Sequence, residues 1–507
     1  MILAILATAG SSCVPRTRRT PDDTIVMAIE TAVTTADPRT GVNNWDNKVL
    51  KLVAAGLTAV DTENMVPRLE LASSIAQIDD LTIDVALREA RFSDGSPVTA
   101  ADVAGTYMSV LAPDSISASH KTLSDRFASV EATGPRVARF HLKAPLATFA
   151  SDIDYGIVSF HDGGPRNGRA IGAGPYRMRE LTSTHAVLEA NPYYFDGPPK
   201  VPNIEIKFVR DTAARLLMVT GGSADLLQNS IRLDLVGAMR AQPRVRVENR
   251  PSAVLTYLMM NNEDPVLRNR DVRRAIALAL DRPAIIAGKL GGLAVPATGL
   301  LSPRHWAYSG SVERWDHDAA RARQLLDAAG YRDPDGDGPA PRFHLVYKTS
   351  ADAFRVAVAR VIAAQLAEVG IAVEVRSFEF ATFFADVKKG AYQLASMQTA
   401  EITEPDFYFM YFHSSWIPTP ANPDGFNRWR YRSAEVDRLT TEGRTELARD
   451  KRLAIYAEVQ RLVAEDVPIV PLWHEDNVVL SNVDVQGYAL APNARLFGLT
   501  RVTKRGE

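Results

Sequence analysis

The sequence predicts a mixed α/β protein, on three observations. Residues 343–378 read strand, helix, strand; residues 82–110 read strand, glycine turn, capped helix; and no short-period repeat or low-complexity block interrupts that mixture. In chain order, "TIDVALR" (82–88) alternates Ile83, Val85 and Leu87 with Asp84 and Arg88, the period of a half-buried strand. "FSDGSP" then turns the chain, with Asp94-Gly95 as its tight centre. Thr99 stands as an N-cap with Asp102 three residues on, the spacing of a capping box. Val103, Tyr107 and Val110 form the apolar stripe of the helix that follows. "RVARFHLK" (136–143) reads as a further strand, and "DAARARQLLDAAGY" (318–331) as a helix closed by Gly330. "FHLVYK" (343–348) alternates as a strand, an amphipathic helix runs to Gly370, and "IAVEVRSF" (371–378) is a strand again. That βαβ spacing makes part of the sheet parallel.

A chain of 507 residues predicts two to four domains. With 46% hydrophobic and 23% charged residues it can bury a large core. The formal net charge of −2, without a clustered basic face, argues against a nucleic-acid partner. A single cysteine excludes an intrachain disulfide and a cysteine-rich metal site. The longest apolar candidate, 356–373, is broken by Arg360, Gln365 and Glu368, so it does not read as a membrane span.

Catalytic signatures are missing. There is no HExxH, GxSxG or GxxxxGK[ST] pattern, and nine scattered histidines suggest no triad. In "IGAGPYRM" (171–178) Pro175 follows the glycines, which reads as a tight turn between strands rather than a phosphate loop. "DPDGDG" (333–338) opens like a calcium loop, but His344 stands where the twelfth-position glutamate belongs, so it reads as a solvated acidic turn. "WHEDN" (473–477) clusters His474, Glu475 and Asp476; neighbours on a strand point in different directions, which argues against a metal site from these three alone. No cofactor and no metal is expected, and nothing argues for an enzyme.

The N-terminus is distinctive. Met1 to Ala9 is almost wholly apolar, Gly10, Ser11 and Ser12 follow, and then comes Cys13. The arrangement resembles a bacterial lipoprotein signal, in which the cysteine is lipidated, although no Lys or Arg precedes the apolar run and Gly10 stands where leucine is usual. An exported chain without a lipid and a cytoplasmic chain with a fortuitous cysteine are the alternatives. Residues 14–24, polar and arginine-rich, read as a tether.

"LREARFSDGSPVTAADVAGTY" (87–107) resembles the extracellular solute-binding proteins of family 5, the peptide and nickel receptors of ABC importers. Leu87, Arg88, Phe92, Asp94, Gly95, Pro97, Thr99, Ala100, Asp102 and Val103 match the family's strand–turn–helix pattern. The Gly-Pro-Tyr stretch at 174–176, the Val-Arg…Asp-Arg pattern around 272–282, "AARARQLLDAAGY", "EVDRL" (435–439) and "VPIVPLWHE" (467–475) follow in the family's order. The resemblance runs over about residues 25–490.

It implies a periplasmic-binding-protein-like fold (class II, cluster C) of two hinged lobes with an extra subdomain. The implied division behind the signal segment (1–13) and tether (14–24) is lobe I from 25–45, 171–256 and 473–507, a subdomain of lobe I from 46–170, and lobe II from 257–472. It also implies a ligand enclosed between the lobes, a membrane permease as partner, a monomer, and a periplasmic or cell-surface location. In peptide-binding members a segment before an Asp-Pro pair runs beside the ligand. Here the pair is Asp37-Pro38, which sets Ala32, Val33 and Thr34 against the ligand as main-chain donors, or else as a plain edge strand. A Trp-x-x-Asp segment faces it in the family. Gln398 and Glu401 occupy those positions, so Glu401 either anchors an amine or is a solvated loop residue. "AAGL" (54–57) stands where Tyr-Glu-Gly-Leu is frequent. Trp416 and Trp429 are candidates for the cleft wall or for packing under a loop; His413 is equally open. The expected ligand is an oligopeptide or peptide-like solute. A receptor or sensor for an opine, sugar or metal chelate is the alternative, and a secreted hydrolase the outlier.

Overall fold

A computed structural model describes residues 20–505 apart from 162, 166–167, 337 and 400–401. Cys13 and Glu401 therefore lie outside the described residues. The main sheet has eleven strands, mixed in direction. From one edge it runs Ile371–Phe378, Phe343–Ser350, Leu394–Thr399, Val245–Met260 and Ile469–Asn482. It continues through Leu226–Gln228, Thr24–Ile29, Asn203–Phe208, His185–Ala190 and Tyr176–Leu181, with Ala294–Pro296 added beside Ile469–Asn482. The expected βαβ unit is present: Phe343–Ser350 and Ile371–Phe378 pair in parallel across the helix Ala353–Ala367. Gly370, at φ +83°, reverses the chain after that helix, a left-handed conformation that a side chain would strain.

Two strands hold the halves together. Val245–Met260 and Ile469–Asn482 are antiparallel neighbours, with register shifts between Pro251 and Leu255 and between Thr256 and Tyr257. Val245 and Leu480 belong to one core, whereas Leu258, Met260, Val470 and Leu472 belong to another. Each strand thus starts in one lobe and ends in the other, and the irregular pairing falls between. A bulge locally breaks a ladder and bends its strand, so the crossing is the least regular part of the sheet.

The four-stranded antiparallel sheet Ala72–Asp79, Thr82–Leu87, Val137–Leu142, Phe127–Gly134 forms the subdomain. Ile83, Val85 and Leu87 face inward as their alternation predicts. The helix Ala100–Leu111 covers them with Val103, Tyr107 and Val110. Its capping box is formed: the Asp102 carboxylate accepts the backbone N–H of Thr99 at 2.9 Å and its hydroxyl at 2.6 Å. The same carboxylate accepts the Phe160 N–H at 2.8 Å, tying the helix start to a distant loop.

Three details differ from the sequence reading. Residues 20–24 are not tether: Thr20 is buried and donates to Asp225 at 2.6 Å, and the Lys504 ammonium reaches Asp225, Pro21 and Thr24. The helix Asn44–Val53 packs Trp45, Val49 and Leu52 against the core of the Thr24–Ile29 strand, so that lobe continues past residue 46. Finally, Gly172 and Gly174 do not make a tight turn. They pass against the backbone of Leu52–Ala54, where a Cβ on Gly174 would lie 2.5 Å from the Leu52 carbonyl oxygen.

Candidate functional site

A cleft of about 500 Å³ opens above the crossing strands and is walled by both lobes. Glu30 enters it just beyond the strand Thr24–Ile29, and Asn229 and Ser230 just beyond Leu226–Gln228. Thr256, Trp473 and Glu475 come from the two crossing strands, and Ser396 and Gln398 from Leu394–Thr399. Arg355 lies in the first turn of the helix Ala353–Ala367, which Asp352 caps by accepting the Arg355 N–H at 2.9 Å. A groove of this size, at strand ends between two domains, is a usual place for a small ligand.

Its polar groups form two sets. On the lobe I side, Glu30 accepts the Trp45 indole N–H at 2.9 Å and the Ser230 hydroxyl. Arg215, 4% exposed, donates to the carbonyls of Ser230, Val209 and Arg210 at 2.6–2.8 Å. Burial holds that guanidinium below its ordinary pKa, partly offset by Glu30. On the crossing strands, Glu475 accepts the Thr256 hydroxyl at 2.9 Å and the Trp473 indole N–H at 3.2 Å. Thr256 in turn accepts from the Gln398 amide at 3.3 Å. His474, between Trp473 and Glu475, points the other way and is fully buried, which pushes its pKa down to about 4.

Of the residues expected at the ligand, the structure brings Gln398 into this cleft. Ala32, Val33 and Thr34 do not form an edge strand. Val33 is buried in the lobe I core, the Ala32 carbonyl accepts from Asn43, and Thr34 commits both its N–H and its hydroxyl to Asp46 at 2.7 and 2.8 Å. The reason is local: Asp46, buried at the start of its helix, gathers four nearby donors, the N–H groups of Val42 and Asn43 as well as the two of Thr34. Trp429 is no cleft wall either; it is fully buried against Tyr257, Tyr411 and Phe412. Trp416 lines a different groove, between subdomain and lobe II, with Phe409 and Arg444. His413 accepts the Ser415 N–H at 3.1 Å and lies against Phe409.

Sequence reasoning missed Glu30, Arg355 and Glu475 as cleft residues. For Glu475 a signal existed. In a strand, residues two apart share a face, so Glu475 goes with Trp473 and opposes His474.

Away from the residues that line the cleft, subdomain and lobe II meet through buried charges. Asp406 of lobe II lies 3.3 Å from Arg126 of the subdomain and 3.1 Å from Arg444 of its own lobe. Arg126 also pairs with Asp152. Glu404 binds Arg452 at 2.9 Å and accepts the Ser151 hydroxyl from across the junction at 2.6 Å. Burial pushes the carboxyls of Glu404 and Asp152 up, against the pull of their arginines. The junction begins three residues after position 401.

The family model described as bacterial extracellular solute-binding proteins, family 5, matches residues 66–418. The chain belongs to this family. Among family 5 relatives, the oligopeptide-binding protein AppA of Bacillus subtilis is 26% identical over 470 residues, 88% of this chain and 85% of that one. The probable D,D-dipeptide-binding periplasmic protein DdpA of Escherichia coli is 24% identical over 505 residues, covering 96% and 95%. NikZ from Campylobacter jejuni, solved with Ni(L-His), superposes with a TM-score of 0.81 at 23% identity, over 96% of this chain and all of that one. Family 5 proteins bind solutes outside the cell, and the two-lobed frame described above is theirs.

Proposed function

We propose that this chain is the extracytoplasmic receptor of an ABC importer for peptides or peptide-like solutes. It captures its ligand by closing the two lobes and presents the closed form to a membrane permease. The observation that carries this reading is the cleft itself, walled by both lobes above the strands that cross between them. A ligand touching both walls binds the closed arrangement better than the open one, and that difference drives closure. The peptide-binding relatives supply the ligand class. Cys13 would anchor the receptor by a lipid at the membrane surface, and a monomer would suffice for the task.

Gln398, in place of the family's tryptophan, favours a second reading in which the solute is not a peptide. Native mass spectrometry of the protein purified without refolding separates the two. A ladder of short-peptide masses carried by the protein is the expected result; a single non-peptide mass would replace the peptide assignment with the second reading.

A further inference from the structure

A second cavity, of about 450 Å³, opens between lobe I and the subdomain. It shares no lining residue with the ligand cleft, and none of its lining comes from lobe II. One wall is the helix Asn44–Val53. Asn44, Asn47, Lys48 and Lys51 follow the i, i+3, i+4, i+7 spacing of a single helix face and turn to the cavity, while Trp45, Val49 and Leu52 bury the other face in lobe I. Asp154 of the subdomain and Arg495 of the C-terminal segment stand across from that helix.

The lining thus sets three cations, Lys48, Lys51 and Arg495, against one carboxylate, Asp154. Lys51 and Arg495 both donate to that carboxylate, one to each oxygen. Burial opposes the charge on Asp154, but Arg495 and Lys51 hold its carboxyl below the usual range, so its single negative charge is shared by two cations. Lys48 is 5% exposed, and its ammonium lies 5.1 Å from the centre of the Trp45 ring, which attracts it without carrying a net charge. Lys51 spends two of its three donors on Asp154. The exposed Asn44 and Asn47 have no side-chain hydrogen bond among the described residues. A recess lined mainly by one sign of charge concentrates its field on whatever enters. We infer that this cavity binds a small dianion, a phosphate or a dicarboxylate, held by Lys48, Lys51 and Arg495 with the Asn44 and Asn47 amides as neutral donors. The site stands apart from the closing cleft and does not depend on the peptide reading.

The test is isothermal titration of the full chain, near neutral pH and at matched ionic strength, with succinate, inorganic phosphate and, as a monoanion control, acetate. Succinate or phosphate is expected to bind about tenfold or more tightly than acetate, the usual size of one further charge-assisted hydrogen bond. Whichever of the two binds tighter tells a dicarboxylate site from a phosphate site. Asn47→Asp, on the exposed part of the helix face, places a negative charge in the cavity and should weaken dianion binding about tenfold or more. Lys48→Met removes the buried ammonium and should do the same. Melting without anion reports whether each variant is folded, and Asn47→Asp carries the test alone if Lys48→Met is not. If neither dianion binds better than acetate, or if a folded variant binds the dianion as tightly as the wild type, the proposal is overturned.

Discussion

Single buried side chains set how stability responds to pH. Burial lowers His305 and His474 from 6.5 to about 4. Between those values the unfolded chain takes up protons that the fold refuses, so stability drops as pH falls through 6.5 and the loss levels off below about 4. Glu70 acts oppositely. Burial raises it from 4.5 to about 7, although Lys51 and Arg68 pull it down and Gly56 donates its N–H at 2.8 Å. Here the fold keeps a proton that the unfolded chain has released, so this contribution is full below 4.5 and is lost as pH rises through about 7. Urea midpoints measured from pH 4 to 8 should therefore show Glu70→Gln gaining on the wild type towards pH 8. The gain is up to roughly 3 kcal/mol, at about 1.4 kcal/mol per unit of displacement. Equal pH profiles for variant and wild type would contradict this reading. Trp429 is a second residue-level case. Being fully buried among aromatic rings, Trp429→Ala should cost about 3–5 kcal/mol in urea unfolding through the cavity it leaves.

At the scale of elements, the capping box at Thr99 does more than start a helix. Asp102 is 1% exposed and serves three donors from two segments. Asp102→Ala removes the cap and strands the Phe160 N–H, so a loss of about 2 kcal/mol or more is expected, above an ordinary exposed cap. Asp102→Asn should recover part of it, because a neutral carbonyl oxygen still accepts; the midpoint of thermal unfolding distinguishes the two. Legibility was high here. Alternation and cap spacing in residues 82–110 predicted the strand, the turn and the helix with its buried stripe, because each depends on neighbours within a few positions. The glycines of "IGAGP" were misread for the opposite reason: what they accommodate is the backbone of Leu52–Ala54, more than a hundred residues earlier.

Across the whole molecule, buried charges join the subdomain to lobe II, and closure is expected to respond to them as well as to ligand. Asp406 faces Arg126 across it, and Glu404 faces Ser151. Removing one member of a buried charge set leaves the others uncompensated, which typically costs 3–5 kcal/mol. Asp406→Asn should therefore shift the ligand-free protein towards the open arrangement, read as a larger radius of gyration by small-angle X-ray scattering. It should also weaken ligand binding, because part of the binding free energy is then used to close the lobes. An unchanged radius together with unchanged affinity would show that the junction is passive.

By itself the sequence determined the α/β class, the βαβ unit at 343–378, the capped subdomain helix and the family resemblance. All are written in local spacing: the period of apolar residues, the cap three positions away, the motifs in order. The tertiary structure alone decided which side chains meet. Thr34 looked free to donate until Asp46 claimed it, and Trp429 looked like a cleft wall until three aromatic rings enclosed it. Glu475 and Arg355, 120 positions apart in the chain, face one cleft only because Leu394–Thr399 and Val245–Met260 lie between their strand and helix in the sheet order. Periodicity reports which face of an element is buried, but not what it is buried against; that depends on contacts between distant segments, and the ligand cleft is made entirely of those.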